Sequence, residues 1–132
     1  MSKFRTLLLI ATALFIVSGC IGEEKTITMK VASTAYTSHV AQTSKHPFLG
    51  AWGDELKPGM KCIAVSRDLI PKGLGHNAKV KIEGLPGEYL VKDKMNKRWT
   101  NKIDIYMGLD TKAAKEWGKR EVTITFEKKE KK

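Results

Sequence analysis

A mainly β fold, a small closed barrel of six short strands with one short helix, follows from three observations on the sequence. Apolar and polar residues alternate in several short runs, the period of half-buried strands. Glycine and proline separate these runs. Only Asp110–Trp117 has helical spacing, with Asp110 placed to cap it, Ala113, Ala114 and Trp117 on one side, and Gly118 placed to stop it. So many strands in so short a chain favour closure, which removes exposed sheet edges.

The elements follow in order. The first strand alternates Ile27, Met29 and Val31 with polar neighbours and continues through Thr34-Ala35-Tyr36. From Thr37 to Met60 no period is sustained, and two histidines, Phe48 and Trp52 interrupt a glycine-containing loop. Loops of this length in small domains commonly carry function. Trp52 is either a platform for a sugar ring or an apolar anchor for the loop. His39 and His46 lack the spacing of metal ligands, and no metal or other cofactor is expected. A second strand covers Lys61 to Ser66, and Pro71 and Gly73 mark a tight turn after a short apolar segment. Val80 and Ile82 alternate with lysines in a third strand over Ala78–Glu83. The fourth and fifth strands are the two halves of Glu88–Gly108, and the last spans Arg120–Phe126. A charged tail, 127–132, follows.

The amino terminus reads as an export signal. Lys3 and Arg5 precede an apolar run from Leu7 to Val17 that is too short for an ordinary spanning helix. Val17-Ser18-Gly19-Cys20 resembles a bacterial lipobox, which implies cleavage after residue 19, lipidation of Cys20 and a short tether over residues 20–26. By resemblance to the sorted lipoproteins of Gram-negative bacteria, Ile21 in place of an aspartate implies an outer-membrane lipoprotein facing the periplasm. The domain then occupies residues 27–126, enough for one core. The chain carries 24 Lys and Arg against 14 Asp and Glu and loses only Lys3 and Arg5 with the signal. An exported basic domain has no access to nucleic acid, so its positive charge either solvates the surface or meets anionic headgroups or the polyanionic cell wall. Cys62 is then the only thiol, and its apolar run points to a buried core position.

The chemistry concentrates in Glu88–Gly108, where Asp93 and Asp104 are embedded in two apolar runs. A lone carboxylate in such a setting is paired, hydrogen-bonded or has a raised pKa. A strand-end aspartate also caps neighbouring turns, so a structural role competes with a catalytic one.

The order Thr34-Ala35-Tyr36, Ile63-Ala64-Val65, Ile70-Pro71-Lys72-Gly73, Val80–Gly84, Asp93, Ile103-Asp104-Ile105-Tyr106 and Trp117–Arg120 resembles the 3D domain, a family named for three aspartates. That family includes the carboxy-terminal part of membrane-bound lytic transglycosylase A. The resemblance runs from Val31 to Phe126 and implies a double-psi β-barrel that acts on peptidoglycan glycan strands. The implied reaction cuts the bond between N-acetylmuramic acid and N-acetylglucosamine and leaves a 1,6-anhydro product. Asp104 takes the position of the acid and base, and Asp93 that of a supporting carboxylate. The family's first aspartate is replaced by Ser66, with Asp68 two residues on; Asp68 shares its face only if the strand persists that far. The turn between the retained aspartates is bulkier and more basic than the family's. There Lys97 and Arg98 are candidates for anionic groups of the wall, and Trp99 for a sugar ring. With Tyr36 these residues complete the candidate substrate site. Non-catalytic glycan binding and an accessory role beside another wall enzyme are the rival functions.

Overall fold

The computed structural model describes residues 25–39 and 48–129. The expected signal, Cys20, most of the tether, His46 and the end of the tail lie outside them. The elements are β1 (Thr26–Tyr36), β2 (Cys62–Val65), a 3-10 turn (Arg67–Lys72), β3 (Lys79–Ile82), β4 (Tyr89–Lys94), β5 (Lys102–Tyr106), α1 (Thr111–Trp117) and β6 (Arg120–Glu127). The strands form one closed barrel in the order β1-β5-β2-β4-β3-β6. The β1/β5 and β2/β4 pairs are parallel, and the other four are antiparallel. The predicted mainly β, six-stranded barrel with one short helix is thus the fold observed among the described residues.

Closure depends on β1. Its Thr26–Ser33 stretch ladders to β6, while Ala32–Tyr36 ladders to β5, so one long strand serves two neighbours. The alternation read from the sequence decides which side chains turn inward. Val31, Ile63, Val65, Val80, Val91, Ile103, Ile105, Val122 and Ile124 form the core and are at most 3% exposed. Each contributes about 1.5–3 kcal/mol by leaving water.

Two irregular segments complete the core. The 3-10 turn buries Leu69 and, after Gly73, Leu74. Helix α1 begins as expected, with the Asp110 carboxylate accepting the Ala113 N–H at 2.9 Å, and is followed by Gly118 at φ 60°. It delivers Trp117 to the core, where the indole N–H donates to Ser33 Oγ at 3.1 Å. Ser33 in turn donates to the Arg120 carbonyl, so a hydroxyl buried among apolar residues is satisfied.

Candidate functional site

Both aspartates lie on the outer surface of the barrel wall, on one rung. Ile103 and Ile105 point into the core, which turns Asp104 outward. In the ladder Thr34 pairs with Asp104, Asp104 with Ala64, and Ala64 with Asp93, across β1, β5, β2 and β4. The two aspartate Cα atoms are therefore about two strand spacings apart, roughly 9.5 Å, with only a methyl side chain between them. A bulge makes this possible. Simple alternation after buried Val91 turns Asp93 inward, but the register of β4 shifts between the partners of Ile63 and Ala64, which adds Lys92 and puts Asp93 opposite Ala64.

The environments of the two acids differ. Asp104 is half-buried, and its Oδ1 accepts the Thr34 hydroxyl at 3.0 Å. Burial raises its pKa against the opposing effects of Thr34 and of Lys102, two residues away on the same face, and Asp93 adds a smaller push in the same direction. Asp93 Oδ1 instead accepts two backbone N–H groups, from Ala51 and Lys94, each at 2.9 Å. The Ala51 bond ties the long loop to β4. Gly50 packs against the same strand so closely that a Cβ there lies 2.0 Å from the Lys92 carbonyl oxygen. Leu49 and Glu55 bridge, and Gly50 N–H donates to the Asp54 carbonyl, so residues 49–55 form a small closed turn over the rung's β4 end.

Tyr36 lies beside the acids on the outer face. Its ring packs against Phe48 and Tyr106, at centroid distances of 6.0 and 5.4 Å. Its hydroxyl is buried, has no hydrogen-bond partner among the described residues, and is held protonated far beyond its ordinary range, by burial first and then by Cys62, Asp93 and Asp104. Cys62 is buried beneath this cluster with Leu56 and Tyr106, and burial pushes its thiol up to about 11. The expected buried cysteine is observed, although on the loop-covered outside of the barrel rather than in its interior.

Trp52 is half-buried and stacks on His76, with centroids 4.9 Å apart and planes 20° from parallel. His76 is bonded to Asp54, which also meets Lys92 Nζ at 3.5 Å, and Lys92 donates to Asn77 Oδ1 at 2.6 Å. The His76 contact chiefly holds the Asp54 carboxyl below its usual range. These contacts tie Trp52, through His76 and Asp54, to Lys92 of β4. No spacing in the sequence joins Asp54, His76 and Lys92; only the fold brings them together.

Ser66 and Asp68 serve the corner where β2 ends. Strand β2 stops at Val65, so Asp68 falls in the 3-10 turn and does not recover the strand face. Ser66 is fully buried, its N–H donates to the Lys102 carbonyl, and its Oγ accepts the Lys102 N–H at 3.0 Å. Asp68 accepts the Asn101 N–H at 2.9 Å; partial burial pushes its carboxyl up, but bonds from Ser66 and Asn101 outweigh this and hold it low. The pair pins the carboxy-terminal end of the β4–β5 loop, where Asn101 takes φ 49°.

Lys97, Arg98 and Trp99 are exposed on that loop. Trp99 is 38% exposed, with Lys102 Nζ 3.8 Å and Arg98 5.0 Å from its ring. Beside it a depression of about 390 Å³ runs over Ala32 and Thr34 toward Lys119 and Arg120. A larger one, about 750 Å³, lies against β3 and β6, and neither depression is lined by Asp93 or Asp104. Among the described residues, no three His, Cys, Asp or Glu side chains gather as a metal site. Compared with known proteins, the chain matches no family model and no curated protein.

Proposed function

We propose that the outer face of β1-β5-β2-β4 cleaves peptidoglycan glycan by a lytic transglycosylase reaction, with Asp104 as acid and base. The observation that carries this reading is the half-buried Asp104 carboxyl, whose raised pKa favours the neutral acid that donation requires. The neutral acid gives its proton to the glycosidic oxygen as the bond from C1 breaks. The resulting carboxylate takes the proton of the muramic 6-hydroxyl, whose oxygen closes onto C1. One carboxyl serves both steps and no water is added. Lys102 on the same face favours the ionised intermediate. Asp93 supports the site by holding residues 49–55 at its edge. The lipobox-like Val17–Cys20 at the amino terminus supports the companion reading of a lipid-anchored protein of the outer membrane, facing the periplasm, where peptidoglycan is within reach.

Incubation of purified peptidoglycan with wild-type protein and with Asp104→Asn, read by mass spectrometry, tests the proposal. Anhydromuramyl products from the wild type alone are expected. A second reading, glycan binding without cleavage, is favoured by Ser66, which supplies a buried hydroxyl with its backbone partner already made where the family has a carboxylate. Sedimentation of folded protein with the glycan but no sugar products supports that reading and overturns the first.

A further inference from the structure

We propose that the depression beside Trp99 is a subsite for a carboxylate-bearing sugar, one strand away from Asp104. It rests on the proposed function only for the choice of a glycan as ligand. Its floor is small, since Ala32 and Thr34 are the outward residues of β1 there, and Thr34 is the hydroxyl that bonds Asp104. Trp99 and Lys102 stand on one side, Lys119 and Arg120 on the other. A planar apolar surface facing cations suits a ligand with a flat apolar sugar face and a negative substituent.

The charges on the rim favour an anion. Arg120 is held in place, with its guanidinium 4.1 Å from the Trp117 ring, its Nε donating to the Trp117 carbonyl at 2.9 Å and one terminal nitrogen to the Glu116 carbonyl at 3.1 Å. Those partners are neutral, so its positive charge is not cancelled. Lys102 rests on the indole rather than on a carboxylate. Lys102 and Lys119 are in no ion pair among the described residues. Glu121, the acid on the rim, meets Lys30 at 3.9 Å. An incoming carboxylate attracts Lys102 off the ring and frees the indole face for the sugar, exchanging a weak exposed cation–π contact for a charge pair. The position beside Thr34 then sets the acidic sugar next to the bond that Asp104 would protonate.

The test uses full-length protein in detergent with Asp104→Asn throughout, so that the glycan stays intact, and compares two tetrasaccharide probes by calorimetry. One is β-1,4-linked N-acetylglucosamine; the other carries a lactyl ether carboxylate on alternate sugars. The acidic probe is expected to bind about tenfold more tightly. That advantage should shrink with added salt and disappear in Lys102→Gln combined with Lys119→Gln. Trp99→Ala should weaken both probes. Equal affinity for the two probes, or an advantage that survives the double lysine variant, overturns the subsite. Circular dichroism of the variants, all at partly or fully exposed positions, separates lost binding from lost folding. Binding is read without turnover, so failure of wild-type protein to cut glycan counts against the proposed function and leaves the subsite standing.

Discussion

Asp104 and Asp93 share a rung, yet they are held in opposite ways. Asp104 receives one side-chain hydroxyl and is desolvated, so its neutral form is favoured. Asp93 receives two backbone N–H groups and anchors a loop. A carboxylate that satisfies backbone donors is committed to the fold, whereas one with a raised pKa and few donors remains available for proton transfer. The β5 half of the rung is therefore the candidate chemical half, and the β4 half is the structural support.

The largest effects should separate these halves. Asp104→Asn is expected to lower glycan cleavage by about 10²–10⁴-fold while the fold persists. Asp93→Asn keeps an oxygen acceptor for the loop, so the expected loss of turnover is smaller; equal losses would erase the distinction drawn between the two acids. On the support side, Gly50→Ala drives a Cβ into the Lys92 carbonyl and should cost about 2–3 kcal/mol, read from the urea midpoint. Asp93→Ala leaves the Ala51 and Lys94 N–H groups without their acceptor and should cost about 1–2 kcal/mol, with faster amide exchange at Ala51.

The pH dependence of stability sharpens the same contrast. The folded pKa of Asp104 lies above its unfolded value, so the native state holds more protons between the two, and stability falls as pH rises through that window. Asp68 acts with the opposite sign. Its folded pKa is depressed, so its contribution is present above the ordinary carboxylate value and lost as pH falls through the folded one. Asp104→Asn should thus raise the urea midpoint at neutral pH, with the gain shrinking on acidification, and leave the Asp68 slope intact. A gain independent of pH would show that the raised pKa is not its source. The smallest effect is expected at Tyr36→Phe, which removes a buried hydroxyl that has no partner among the described residues and should change stability by no more than about 1 kcal/mol, in either direction.

The elements were legible because local chemistry and burial agree in most of the chain. Ile103 and Ile105 alternate with Asp104, Val80 and Ile82 with lysines, and Asp110 and Gly118 bracket the helix; each pattern appears in the structure at its place. The outward face of Asp104 follows from the same alternation once Ile103 and Ile105 are seen in the core. The face of Asp93 was not, because a bulge changes the alternation at Lys92 and depends on pairing with β2. Nor was the end of β2 at Val65, which takes Asp68 off the strand: Ser66 supports a strand or a turn equally well until its hydroxyl meets the Lys102 N–H. In the sequence Trp52 reads as a platform or an anchor, and its stacking on His76, distant in the chain, is a product of the fold alone.

Periodicity and turn chemistry, which act between near neighbours, by themselves determined the number and kind of the strands, the helix Thr111–Trp117 and most of the inward-facing core. Tertiary structure alone decided which strands adjoin, and thereby that Ala64 separates the two acids, that a loop rests on Asp93, and that Trp99 faces Lys119 and Arg120 across β1. The reason is physical: desolvation of a carboxyl and the pairing of a charge depend on neighbours distant in the chain, and parallel ladders such as β1/β5 bring those neighbours together only when the barrel closes.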